Sequence, residues 1–224
     1  MTLEQLIAQF RADADDEAVP PLFSDDWLAL VFTEAQQEAA IRGRLILEDS
    51  DPAMCEIPLE AGDAHYELNA LMYELVHTAV RSSGATERRP VHLRTREWLD
   101  ENLPHWRDLP ADDRTQAIIQ DDTRIRLVPA PRSAGTLLLE GYRLPLRDLR
   151  NPGDRPEIHS MHHAKLVHWA LYRAFARPDG ETMDRERAAR ELADFTAYFG
   201  LRPDADARRA TRSDQEHHNQ AFMP

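Results

Sequence analysis

The chain has 224 residues, 42% of them hydrophobic and 30% charged, with a formal net charge of −13. A chain this long can bury ~70% of the surface it exposes when unfolded, enough for one or two ordinary domains. The negative balance argues against general binding to nucleic acid or anionic membranes, which requires a basic surface, but does not exclude a passage that repels DNA and lets it slide.

Lysine occurs once, at Lys165, and arginine supplies the remaining basic side chains. Cys55 stands alone, which excludes an internal disulfide and a cysteine-based zinc site and fits a reducing compartment. The opening residues Met1, Thr2, Leu3 and Glu4 show no basic stretch followed by an apolar run, so no secretory signal is expected. The longest strongly apolar run, Trp27 to Phe32, is far short of the ~20 residues that span a bilayer, so no membrane partner is expected.

Thr2 and Gln5 resemble a capping box, with Leu3, Leu6, Ile7 and Phe10 following at helical spacing. Ser24 is placed to cap a second helix, DDWLALVFTEAQQEAAIRGRLILED, striped by Leu28, Val31, Ala35, Ala39, Arg42 and Ile46. Arg42 interrupts that stripe and needs a carboxylate or carbonyl partner if it is buried. After Pro52 the character changes. Cys55, Ile57 and Leu59 alternate as in a strand, and Ala61-Gly62-Asp63 reads as a turn. Tyr66 and Leu68 alternate again, and Leu71 to Val80 fits helix or strand, with the neighbouring hairpin pattern favouring strand. A turn at Ser82-Ser83-Gly84 precedes a short strand with Val91 and Leu93. Thr95 then caps a short helix carrying Trp98, Leu99 and Leu103. Ala117–Ile119 and Ile125–Val128 flank Asp121-Asp122 as a hairpin, and Leu137 to Tyr142 reads as a strand buried on both faces.

A polar connector, Pro145 to Arg155, leads into a long helix from Pro156 to Pro178. Ala164, Val167, His168, Leu171, Ala174 and Phe175 share one of its faces. Thr182 is placed to cap a last helix with Ala188, Leu192, Phe195 and Phe199 as its stripe and Gly200 as its stop. The pattern predicts an α+β fold: a helical bundle from the N- and C-terminal helices, with an inserted antiparallel β-domain. The expected divisions are 1–50 for the N-terminal helices, 51–150 for the β-rich domain, 151–202 for the C-terminal helices and 203–224 for a tail disordered on its own.

Histidine carries the only candidate chemistry. His159, His162 and His163 fall three and four apart on the predicted helix, a spacing that suits zinc. No HExxH pattern, third ligand or general base accompanies them, so they read as exposed polar residues near a subunit contact, with a metal-dependent enzyme as the alternative. His168 reads as a hydrogen-bonded core histidine, and His217-His218 as a pair without a preformed site. GxSxG, GxxxxGK[ST] and GxGxxG are all absent. The acidic clusters Asp13–Asp16 and Asp112-Asp113 lack calcium-loop spacing and read as solvated surface. No catalytic residue, metal or cofactor is therefore expected. A regulatory protein that binds charged partners is a third possibility.

Several stretches together resemble the head–tail adaptor (connector) proteins of short-tailed bacteriophages. They are LFSDDWLALVFTEAQQEAAIRGRLILED, REWLDENLPHW, DDTRIRLVPAP, GTLLLEGYRLPL and PEIHSMHHAKLVHWALYRAFARPDGET, in that order, over residues 1–200. The resemblance implies a virion structural protein without a cofactor. It would form a homo-oligomeric ring, commonly a dodecamer, beneath the portal protein, extend the DNA channel and dock the next tail or nozzle component. DNA would pass without specific binding, at the capsid–tail junction of the virion, after assembly in the host cytoplasm. In the tail, Arg208, Arg209 and Arg212 are candidates for charged contacts with a partner, and Phe222 and Met223 for apolar ones.

Overall fold

The computed structural model describes residues 1–178 and 183–203. The chain is α+β and divides into two units. One comprises residues 1–47 and 143–203, and the other has residues 48–142 as its described part.

The first unit is helical. Helix α1 (Leu3–Ala14) opens on the capping box expected from sequence, with Gln5 N donating to Thr2 Oγ1 and Thr2 N donating to Gln5 Oε1. Helix α2 (Asp25–Gly43) is capped by Ser24, as its sequence implies. It stops six residues before the predicted end, because Arg44 turns left-handed with φ 48° and Leu45 N bonds back to Ala40 O. Leu47–Glu48 is instead a two-residue strand, β1.

The single helix expected over 156–178 is corrected. Pro156 to His159 are non-helical, Ser160–Lys165 form a 3-10 segment, and the α-helix (α5) is Leu166–Phe175. Tertiary bonds hold the start away from helical geometry. Glu157 N donates to Gln36 Oε1 (3.4 Å), the Glu157 carboxylate accepts from Leu146 N (2.7 Å), and Ile158 O lies 2.9 Å from His163 Nε2. Ala164, assigned to the apolar face, is exposed.

Helix α5 is buried nearly all round, because α1, α2 and α6 (Arg185–Phe199) pack against it. Leu166, Val167, Trp169, Ala170, Leu171, Ala174 and Phe175 share a core with Leu3, Leu6, Phe10, Phe32, Phe195 and Phe199. Each large side chain taken from water there contributes roughly 1.5–3 kcal/mol before entropy. Asp184 caps α6, its carboxylate accepting from Arg187 N; Thr182, the expected cap, lies outside the described residues. Gly200 ends α6 at φ 93°, a value that an L side chain tolerates poorly.

The connector after Pro145 is pinned to α2 by buried polar side chains. Thr33 Oγ1 accepts from Leu149 N (2.9 Å) and donates to Leu149 O (3.4 Å), and Gln36 Nε2 donates to Arg147 O (2.9 Å). These bonds explain how Thr33 and Gln36 can be buried at no uncompensated cost.

The second unit is β-rich. Residues 52–55, taken partly as strand from their alternation, form instead a one-turn helix, α3 (Pro52–Cys55), capped by Asp51. Strands β2 (Glu56–Leu59), β3 (His65–Glu67), β4 (Met72–Ser82), β5 (Arg89–Pro90) and β6 (His92–Leu93) precede α4 (Arg96–Asn102). Strands β7 (Ala117–Gln120), β8 (Arg124–Val128) and β9 (Gly135–Arg143) complete the unit. One sheet runs β1-β9-β4-β5, with β2 also pairing β9; the other runs β3-β8-β7-β6. Pairing is antiparallel at β2–β9, β3–β8, β4–β5 and β7–β8, but β6 runs parallel to β7, with His92 opposite Ala117.

Strand β7 is buried on both faces. Ile118 enters the main β core with Leu75, Leu127 and Leu139, while Ala117 and Ile119 meet Leu99 and Trp106 in a second cluster. The buried Gln120 side chain joins the two sheets: its Oε1 accepts from Leu75 N and its Nε2 donates to Tyr73 O, each at 3.1 Å. Strands β9 and β4 lie so close that a Cβ at Gly141 would sit 2.5 Å from Glu74 O.

Candidate functional site

The predicted histidine site lies in the helical unit, where the 3-10 segment meets the C-terminal end of α6. The structure separates the three rings by role. His159 caps the 3-10 segment, its Nδ1 accepting from Met161 N at 3.3 Å. His162 Nδ1 lies 3.1 Å from Tyr198 Oη, and its ring packs 5.9 Å from Phe199. His163 is buried, correcting its reading as an exposed residue. Its Nε2 lies 2.9 Å from Ile158 O and its Nδ1 2.7 Å from the Met1 amine. Both hydrogen bonds form together in the tautomer whose Nε2 donates to Ile158 O while Nδ1 accepts from the amine. Both nitrogens of His163 are thus engaged, and the spacing that suggested a shared metal belonged to an α-helix that does not form here.

The protonation of His162 is displaced. Burial lowers its pKa first, and the neighbouring His159 and His163 lower it further. A ring held neutral beside a tyrosine hydroxyl can act as hydrogen-bond acceptor or donor through its tautomer.

Around these rings the surface is apolar and open. Met161 is 66% exposed, Tyr198 41% and Leu201 80%, with Lys165 Nζ 5.7 Å from the Tyr198 ring. Exposed apolar side chains of this kind suit a protein contact better than catalysis. Tyr198 and Leu201 were not singled out by sequence, since both fall off the stripe that marks the buried face of α6.

Two other sequence expectations meet different ends. Arg42 has the partners its burial demanded: Glu38 Oε2 at 3.1 Å and Thr196 Oγ1 at 3.1 Å, with its guanidinium over Trp169 and Phe195. Glu38 also binds Arg202 at 2.9 Å, which fastens the chain just after α6. His168, read as a core histidine, is half-buried at the edge of α5, its Nδ1 2.7 Å from Glu191 Oε2 of α6. Arg208, Arg209, Arg212, Phe222 and Met223, and the pair His217-His218, lie outside the described residues.

In the β unit, Cys55 is buried, and its thiol pKa is raised by that burial and by Glu48, Asp51 and Asp49. A thiol so placed is a poor nucleophile at neutral pH. No described helix is long and apolar enough to cross a membrane.

A family model described as SU10 adaptor protein matches residues 1–217. No curated protein matches the chain.

Proposed function

The chain belongs to the SU10 adaptor protein family, a phage head–tail adaptor family, and from that premise we propose that it forms a ring beneath the portal of the virion. It is a phage structural protein that works with portal and tail components. In the proposed arrangement the ring, a dodecamer to match the portal, extends the DNA channel, and its free end docks the next tail or nozzle protein. The monomer is made in the host cytoplasm and joins the particle there. The single observation that carries this reading is the extent of the family match, which takes in both structural units and most of the C-terminal segment.

Physical features support the finer points. A net charge of −13 suits a channel wall that DNA must slide along without sticking. The exposed Met161, Tyr198 and Leu201 surface stands at the end of α6, where the chain runs on toward Arg208, Arg209 and Arg212. We assign those arginines, with Phe222 and Met223, to the portal contact. The protein acts by binding and has no catalytic role. The alternative of an enzyme built on His159, His162 and His163 is disfavoured because each ring serves a different local bond.

The deciding experiment is reconstruction of the assembled particle, in which this chain should occupy density between portal and tail. Co-migration with the purified portal by size exclusion should also occur, and should be lost when residues 204–224 are removed. A particle whose portal meets the tail without this chain would overturn the proposal.

A further inference from the structure

His168 on α5 and Glu191 and Asp194 on α6 bring one imidazole nitrogen and two carboxylate oxygens within 4.8 Å of one another. Glu191 and Asp194 stand three residues apart, so they share a face of α6, and His168 meets that face from the neighbouring helix. The His168 and Glu191 side chains are only 26% and 17% exposed, whereas Asp194 is exposed and leaves a way in from solvent. Two carboxylates converging on one imidazole repel each other, and a cation between them removes that cost.

We propose that His168, Glu191 and Asp194 bind a divalent transition-metal ion of the zinc class, fastening α6 to α5. One imidazole and two carboxylates, with water in the fourth position, form a tetrahedral set of the kind that zinc accepts at about 2.0–2.2 Å. The widest separation must close by somewhat more than an ångström, which the exposed Asp194 can supply by a change of rotamer, and the 2.7 Å His168–Glu191 pair must open to admit the ion. The imidazole disfavours magnesium and calcium, which take oxygen ligands. The ion has structural work to do. Helix α6 buries only Ala188, Phe195 and Phe199, and its two carboxylate ligands lie between Ala188 and Phe195. This proposal does not depend on the adaptor reading.

The test uses the full-length, tag-free protein, stripped with chelator and titrated at about pH 7.5 with zinc, and in parallel with magnesium and calcium. One zinc per chain should bind, and melting should rise by about 5 °C at a zinc concentration about a hundred times Kd. Asp194→Asn and His168→Gln should each weaken zinc binding by more than about tenfold and abolish the rise in melting temperature. Far-UV circular dichroism checks that each variant is folded; should His168→Gln fail to fold, the exposed Asp194→Asn decides alone. Three results overturn the proposal: no saturable zinc binding, zinc binding unchanged in Asp194→Asn, or an equal shift with magnesium. Unchanged binding in Asp194→Asn would place the zinc on other histidines.

Discussion

The helical unit and the β unit solve the same packing problem in opposite ways. In the helical unit side chains fill the space: Phe10, Phe32 and Phe195 are fully buried, and helix α5 is wrapped by apolar neighbours on almost every side. Thr33 is buried there as a partner of the Leu149 backbone, and Glu38 as a partner of the Arg42 guanidinium. In the β unit the limiting quantity is backbone clearance. Gly135 would place a Cβ 2.7 Å from Arg81 O, and Gly141 would place one 2.5 Å from Glu74 O. The helical unit should therefore fail when a side chain is changed in kind, and the β unit when one is merely added.

The largest test of that contrast is Leu171→Asp. Leu171 is 3% exposed at the centre of the helical core, so the carboxylate has no water and no partner. A loss above about 4 kcal/mol is expected. Hydrogen exchange should show residues 1–47 and 143–178 unprotected while 48–142 keep their protection; loss of both together would break the distinction between the units. Gly141→Ala should cost about 2–4 kcal/mol through displacement of β4, read as a lower denaturant midpoint. Gly153→Ala, whose Cβ would meet nothing within 4 Å, should leave that midpoint unchanged.

Thr33→Val conserves shape but strands the amide of Leu149, at a cost of about 1–3 kcal/mol in urea unfolding. The smallest effect concerns His162. Its folded pKa lies below the ordinary value, so the folded state binds the proton less readily than the unfolded one. Its contribution is thus fully present above about pH 6.5 and is lost as pH falls through the lowered folded value. His162→Gln should stay folded and show a shallower fall in melting temperature between about pH 7 and pH 5. An unchanged pH profile would show that the ring titrates without consequence for the helical unit.

Local rules read much of this fold from sequence. The Thr2 capping box, the Ser24 cap, the Gly200 stop and the hairpin around Asp121-Asp122 each involve residues a few positions apart, so sequence alone contains both partners. Leu71 to Val80 was ambiguous by period, and pairing with β5 and β9 fixed it as strand. The end of α2 was misread because Leu45 and Ile46 continue an apolar pattern that the left-handed Arg44 interrupts. At the candidate site, sequence saw three histidines at helical spacing but not that Glu157 and Ile158 are claimed by Gln36, Leu146 and His163. Tyr198 and Leu201 were equally hidden, because exposure beside a buried stripe depends on which neighbours cover it.

The sequence by itself determined the class of fold, the Thr2, Ser24 and Thr95 caps, most strands, the absence of the familiar catalytic motifs and the family to which the chain belongs. Those depend on composition, period and order. Only the tertiary structure decided that His163 is buried while Met161 is open, and that Arg42 finds Thr196 as well as Glu38. It also decided that His168 faces two carboxylates from another helix. Each of these joins residues far apart in the chain, and their distance is set by how helices and strands pack, a quantity that no local spacing contains.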